Sequence, residues 1–140
     1  MPALRRSRLE ELDLAACWVL LRQHEYGVGR VAVGGSVPII LPVNYLVDGG
    51  DLILRTGSGS VRRAAEDGAW LAFEVDSLHG PEVGEDEEVW SVVAKGPSRV
   101  VGEHDRRTFL DLAHLEPQAG GFRPHYIAIT VEELTGRRRR

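Results

Sequence analysis

The amino-acid sequence predicts a mainly β fold, a six-stranded antiparallel barrel with appended helices. Three observations lead to this fold class. Apolar and β-branched segments of strand length recur along the chain, only three short helical patterns interrupt them, and Asp48-Gly49-Gly50 has the composition of a tight hairpin turn. A doubly wound parallel sheet would place a helix between successive strands, so the pattern favours an antiparallel barrel.

Length and composition limit the organisation of the chain. The 140 residues, of which 43% are hydrophobic, suit one domain with one core. We expect a loose segment over 1–12, the barrel domain over 13–136 and a basic tail over 137–140. The net charge of −4 argues against a general nucleic-acid binder. Neither a membrane span nor a signal peptide is evident, so a cytoplasmic protein is expected.

The first half of the chain predicts one helix followed by paired strands. Asp13 is a suitable N-cap for a helix over Leu14–His24, with an apolar stripe of Leu14, Trp18 and Leu21. Strands are expected over Arg30–Val33, Val37–Val47 and Asp51–Thr56. Because proline cannot donate a ladder hydrogen bond, Pro42 indicates an edge, a bulge or a ligand-facing stretch.

The second half predicts two more helices among further strands. Ser60 is expected to cap a helix that runs to Asp67, and Asp105 to cap a second over Arg106–Leu115. Strands are expected over Trp70–Val75, over Val89–Val101 with an interruption at Gly96-Pro97, and over His125–Val131. The acidic segment Ser77–Glu88 is expected to be a loop, and Glu132–Gly136 a turn.

The segment after Arg55 has the features of an anion-binding loop. Gly57 and Gly59 allow close approach of the backbone, and hydroxyls are supplied by Thr56, Ser58 and Ser60. A helix N-terminus follows, where free N–H groups and the dipole favour an anion. Arg62 and Arg63 lie in that first turn. The residues alone leave open a plain Gly/Ser turn with solvated arginines.

Side chains for conventional catalysis are not evident. The sequence contains no GxSxG, P-loop or HExxH motif. Its five histidines are dispersed without metal-ligand spacing, and the single Cys17 is expected to be a buried small residue. No metal site is expected, and no catalytic residue can be assigned.

Three blocks of sequence resemble the flavin-binding split barrels related to pyridoxamine 5'-phosphate oxidase, in particular the small actinobacterial-type and nitroimidazole-reductase-like members. These blocks are VGRVAVGGSVPIILPVNYLVDGG, LILRTGSGSVRRAAEDGAWLAFEVD, and EVWSVVAKGPSRVV with the later EELTGRR. Their order and spacing cover nearly the whole chain from about Leu12.

The resemblance implies a cofactor, FMN, in a groove at a dimer interface. Pro42, Val43, Asn44 and Tyr45 would line the isoalloxazine, largely through backbone. The ribityl phosphate would meet Arg55, Thr56, Ser58, Ser60 and one of Arg62 or Arg63. Trp90 and Ser91 would approach from the other subunit. Many members have a lysine where this chain has Val61, and Arg62 or Arg63 would replace it.

The resemblance therefore implies an FMN-dependent oxidoreductase of unassigned substrate, acting as a homodimer. We expect the Val89–Val101 strand in its interface, because this strand has more apolar residues than a small barrel interior can use, namely Trp90, Val92, Val93, Val100 and Val101. A deazaflavin-dependent reductase and a non-enzymatic flavin or haem carrier or sensor are the alternatives. In each of these hypotheses the cofactor performs the redox chemistry, and the protein binds and orients it.

Overall fold

The computed structural model describes residues 9–78, 88–102 and 124–139. In chain order the elements are β1 (Leu9–Glu11), α1 (Leu14–Gln23), β2 (Val28–Val33), β3 (Ile39–Asp48), β4 (Asp51–Thr56), α2 (Gly59–Glu66), β5 (Trp70–Asp76), β6 (Val89–Val100), β7 (His125–Thr130) and β8 (Glu133–Arg139). The helix expected over Arg106–Leu115 and most of the acidic loop lie outside the described residues.

Six antiparallel strands close into a barrel, as the sequence predicted. The strands follow one another in the order β6-β5-β2-β3-β4-β7, and a further pairing of β6 with β7 closes the ring. β8 pairs with the part of β6 that does not pair with β7, and β1 pairs in turn with β8. Closure leaves the six barrel strands with an inner face for the core and an outer face for contacts with ligands or partners.

The barrel interior is filled by alternate side chains of these strands. Tyr45 and Phe73 pack at its centre with ring centroids 4.8 Å apart. The fully buried residues around them include Val31, Leu52, Leu54, Leu71, Ile127 and Ile129. Leu46, Ile53, Val101, Tyr126 and Ala128 form a separate buried cluster. Val61 of α2 belongs to the main core and is fully buried.

Helix α1 begins as predicted and packs largely through the predicted stripe, since Leu21 is buried in the core and Trp18 packs against it. The Asp13 side chain accepts a hydrogen bond from the Ala16 amide at 2.8 Å, which confirms the N-cap. Leu14, however, is 62% exposed, whereas Cys17 and Leu21 are fully buried. Leu14 is therefore the one residue of the predicted stripe that does not pack into the core, and Cys17 is the first buried residue of α1.

The hairpin between β3 and β4 confirms the turn prediction. Asp48 pairs with Asp51, and Gly49 has a φ of 57°, which glycine adopts without the steric cost of a side chain. Pro42 pairs with Arg30 on β2, but pairing of β3 with β4 begins only at Asn44. Pro42 therefore lies on a part of β3 that has one neighbouring strand, one of the positions expected for it.

The interruption expected at Gly96-Pro97 is wrong, because β6 runs unbroken through both residues. Pro97 lies where the second neighbour of β6 changes from β8, paired through Lys95, to β7, paired from Ser98. At such a change no ladder donor is needed on that side. Gly96 is required there because a Cβ would overlap the Thr130 carbonyl oxygen.

The two chain ends also differ from expectation, since both form strands. Leu9–Glu11 pairs with Arg137–Arg139, so these parts of the expected loose segment and of the expected tail belong to the sheet. The expected turn over Glu132–Gly136 is wrong as well, because β8 starts at Glu133 and pairs with β6. Pairing on both sides of β8 outweighs the weak strand propensity of its arginines. Among the described residues, no helix is long and apolar enough to cross a membrane.

Candidate functional site

The turn between β4 and α2 is held by its own hydroxyls. Thr56 Oγ1 accepts a hydrogen bond from the Ser58 amide at 3.0 Å, and Ser58 Oγ accepts one from the Val61 amide at 3.3 Å. Ser58 is therefore the N-cap of α2, and the assignment of Ser60 as the cap is wrong. Capping by Ser58 starts the helix at Gly59 and directs the first-turn amides toward the loop.

The two arginines of α2 have different roles. Arg63 folds back toward the helix N-terminus, where its Nη2 donates to Ser60 Oγ at 3.2 Å. Arg62 is turned away, with its Nε 2.9 Å from Glu66 Oε1 and its Nη1 3.0 Å from His125 Nδ1. Arg63 is thus the α2 cation that lies over the loop.

Arg55 adds a second cation beside the same loop. It is half-buried on β4, where it pairs with Asn44 of β3 on one side and Tyr126 of β7 on the other. Among the described residues, the Arg55 guanidinium has no ion pair or hydrogen bond. A half-buried arginine without a counter-ion, next to hydroxyls and helix amides, is suited to bind an external anion.

Position 61 cannot supply the cation that many members of the flavin-binding split-barrel family have there. Val61 is fully buried in the core, so a lysine in its place would have to leave its ammonium among apolar side chains. The cationic groups near the loop are therefore Arg55 and Arg63.

The segment from Pro42 to Tyr45 alternates between the two faces of β3. Val43 and Tyr45 are buried, and the Tyr45 hydroxyl donates to the Leu21 carbonyl at 2.7 Å. Burial, with a smaller contribution from Glu25, raises the pKa of Tyr45, so this hydroxyl stays protonated. Only Asn44 directs a polar side chain outward, and its Nδ2 donates to the carbonyls of Tyr26 and Gly27 at 3.2 and 3.3 Å. Any contact of Val43 or Tyr45 with a ligand on the outer face would come from backbone atoms.

Trp90 and Ser91 lie on a different part of the barrel from the loop. The Trp90 ring is buried against His24 of α1, with centroids 4.7 Å apart. Ser91 is half-buried and pairs with Asp76 on β5. Ser91 lies in the part of β6 that pairs with β8, whereas β7, the neighbour of β4, pairs with β6 only from Ser98 to Val100, so one chain does not bring Ser91 to the loop.

A charged cluster that was not expected from the sequence lies on the outer face of β2 and β5. Arg30 Nη1 lies 3.3 Å from both Glu74 Oε2 and Asp76 Oδ2. Burial and the neighbouring Asp76 carboxylate raise the pKa of Glu74 to about 7, against the opposing effect of Arg30. The carboxylates two residues apart in FEVD were the available signal, because such residues share a strand face.

Within the part of the chain that the structure describes, no three side chains among His, Cys, Asp and Glu lie close enough together to hold a metal ion. Two of the five histidines, His24 and His125, contact Trp90 and Arg62 respectively. His79, His104 and His114 lie outside the described residues.

Comparison with known proteins identifies the family. The model of the pyridoxamine 5'-phosphate oxidase family matches residues 13–138, and the chain belongs to this family. No functionally curated protein is similar enough to be matched.

Solved structures extend this comparison to the whole barrel. An inferred pyridoxamine 5'-phosphate oxidase from Corynebacterium glutamicum has a TM-score of 0.72 and 26% identity over 94% of this chain and 98% of that chain. The FAD-binding protein of Mycobacterium smegmatis has the same four values. A protein of Bacteroides thetaiotaomicron, described as an inferred 5-nitroimidazole antibiotic resistance protein, shares the fold at 13% identity, with a TM-score of 0.67 over 94% of this chain and 89% of that chain.

Proposed function

We propose that this protein is a cytoplasmic, FMN-binding oxidoreductase that holds its flavin at the interface of a homodimer. The observation that carries the proposal is the half-buried Arg55, which has no counter-ion among the described residues and lies beside the capped N-terminus of α2. Family membership and the similarity to the FAD-binding protein of Mycobacterium smegmatis support a flavin as the source of the anion.

The residues of the loop fit a phosphate monoester. Arg55 and Arg63 would supply positive charge, Ser60 a hydroxyl, and the first turn of α2 its backbone amides. Thr56 is only 7% exposed, so it would act mainly by holding the loop through Ser58. Arg62 would contribute little because Glu66 and His125 already occupy it.

The bound flavin would supply hydride and electron transfer, which needs no acid–base pair from the protein. The protein would bind the phosphate, position the ring along Pro42–Tyr45 and limit access of water. Asn44 would have a positioning role, because its side chain fixes the turn at Tyr26 and Gly27 against β3.

Dimerisation would use the outer face of the barrel rather than the apolar residues expected in β6. Trp90, Val92 and Val101 are buried within their own chain and have little surface to offer a partner. Exposed apolar side chains occur instead on neighbouring strands, with Val28 at 56%, Ile40 at 70% and Trp70 at 49% exposed. A second copy covering them would bring its own β6 toward the loop.

An absorption spectrum of the purified protein, followed by FMN titration of the flavin-free form, tests this proposal. Bands near about 370 and about 450 nm with saturable FMN binding are expected for a flavoprotein. A single band near about 420 nm would indicate a deazaflavin, and a sharp Soret band would indicate haem. A protein that binds FMN but shows no turnover with any donor would be a carrier or sensor.

A further inference from the structure

A cavity of about 570 Å³ opens on the outer face of the sheet, beyond the loop just described. Its apolar lining comes from Leu9, Leu78, Val89 and Trp90. Both the volume and the mainly apolar lining are typical of sites for small organic molecules.

The strand register explains why the sheet is hollow here. Asp76 of β5, Ser91 of β6 and Arg137 of β8 lie side by side in one row. The short Ser91 side chain forms the floor between two longer neighbours. Neighbouring strands are roughly 4.8 Å apart, so the outer two backbones of this row are separated by roughly 10 Å.

The two walls of the cavity have opposite charge. On β5, Glu74 and Asp76 both pair with Arg30. On β8, Arg137 and Arg139 have no ion pair within residues 9–78, 88–102 and 124–139, whereas Arg138 between them pairs with Glu10 and Glu88. Glu74 Oε1 is buried and accepts no hydrogen bond from the described residues. An acceptor and two cations are thus available on opposite sides of an apolar space.

We propose that this cavity binds a small zwitterion of the ω-amino acid class, with its ammonium at Glu74 and Asp76, its methylene chain over Val89 and Ser91 on the outer face of β6, and its carboxylate at Arg137 and Arg139. Charge-assisted hydrogen bonds at both ends favour such a ligand over one with a single charged group. The binding inference does not rest on the proposed flavin. If both hold, Trp90 and Ser91 are shared between the two sites.

Protonation gives the site a characteristic pH dependence. Glu74 faces Asp76 on its own strand and Arg30 from β2, and Arg137 from β8 lies across Ser91 from Asp76 in the same cavity. Because Glu74 holds a proton up to about pH 7, an incoming ammonium must displace it. Affinity should therefore rise between about pH 6 and about pH 8, in parallel with proton release.

The test is calorimetric titration of the full chain with γ-aminobutyrate, δ-aminovalerate and ε-aminocaproate, with valerate and pentylamine as single-charge probes. At least one amino acid should bind about ten-fold more tightly than either single-charge probe. Titrations in two buffers of different ionisation enthalpy report the proton released.

Three variants locate the binding. Arg137→Gln and Asp76→Asn should each weaken binding of the preferred amino acid about ten-fold. Lys95→Gln is the matched control, because Lys95 lies on the same face of β6 outside the cavity, and it should leave binding unchanged. Equal binding of the zwitterions and the single-charge probes would overturn the proposal, as would unchanged affinity in both cavity variants. So would no binding combined with a change of oligomeric mass in Arg137→Gln, because a second copy would then fill the cavity.

Discussion

The two polar regions of this barrel are built in different ways. The loop after β4 is continuous in sequence, and its cap, hydroxyls and arginines fall within the nine residues from Arg55 to Arg63. The cavity on the outer face combines β1, β5, β6 and β8, whose residues come from the two ends and the middle of the chain. The loop depends on local turn chemistry, whereas the cavity depends on strand register.

The loop and the cavity therefore depend on different parts of the structure for their shape. The loop would keep its shape wherever β4 and α2 remain joined, because Thr56 and Ser58 bond within it. The cavity exists only while β8 keeps its alignment with β6, since a slip by one residue would turn Arg137 and Arg139 to the opposite face. Substitutions that disturb closure of the barrel should therefore affect the cavity more than the loop.

The largest effect is expected at Gly96, where β6 exchanges β8 for β7. Gly96→Ala places a Cβ against the Thr130 carbonyl, a backbone group that cannot move aside, and should destabilise the fold by about 3 kcal/mol. Urea unfolding measures the change. Gly50→Ala is the control, since a Cβ there meets no atom within 4 Å. Equal stability of the two variants would contradict the assigned closure.

The second largest effect is a difference in FMN binding between variants of the two arginines of α2. Arg63→Ala should weaken FMN binding about ten-fold, because Arg63 lies over the loop, whereas Arg62→Ala should change it less than about three-fold. Fluorescence titration of both variants gives the ratio. The reverse order would mean that Arg62 leaves Glu66 and His125 to bind the phosphate.

A smaller effect is expected from Glu74 in the cavity wall. The folded protein keeps the Glu74 proton to about pH 7, and the unfolded chain loses it near 4.5, so stability falls as the pH rises between these values. Because the side chain is 32% exposed and Arg30 offsets the burial, the loss should be only about 1 kcal/mol. Glu74→Gln should therefore gain stability over the wild type between these pH values.

Unfolding at several pH values checks this, with the exposed Glu133→Gln as control. If the difference in the free energy of unfolding between Glu74→Gln and the wild type did not change with pH, the raised pKa of Glu74 beside Asp76 would be wrong.

The smallest effect concerns the cap of α2. Ser58→Ala should cost about 1 kcal/mol of stability, because its hydroxyl accepts from the Val61 amide, and Ser60→Ala should cost much less. Thermal unfolding of both proteins compares them. A larger loss in Ser60→Ala would restore the cap assignment made from the sequence.

The sequence predicted the elements whose signals are local. The Asp13 cap, the Asp48-Gly49-Gly50 turn and the Asp51–Thr56 strand are confirmed at their expected positions. The failures share a physical cause, since Gly96, Pro97 and the arginines of β8 have poor strand propensity but are fixed by partners distant in sequence.

The same limit applies to the sites. Arg55 and the Gly/Ser loop could be proposed as an anion site from the sequence because their residues are contiguous, although the cap was assigned two residues too late, at Ser60 instead of Ser58. The cavity was missed because Asp76, Ser91 and Arg137 become neighbours only through the register of three strands. Arg63 could be separated from Arg62 only by their side-chain contacts.

The central claim is that the loop beside Arg55 recognises the phosphate of a flavin. Titration of the wild type and Arg55→Ala with both FMN and riboflavin tests it most directly, because riboflavin lacks only the phosphate. The account predicts that the wild type prefers FMN, and that Arg55→Ala weakens FMN binding about ten-fold or more while leaving riboflavin binding nearly unchanged. Equal affinity of the wild type for both ligands, or equal losses for both in the variant, would contradict it.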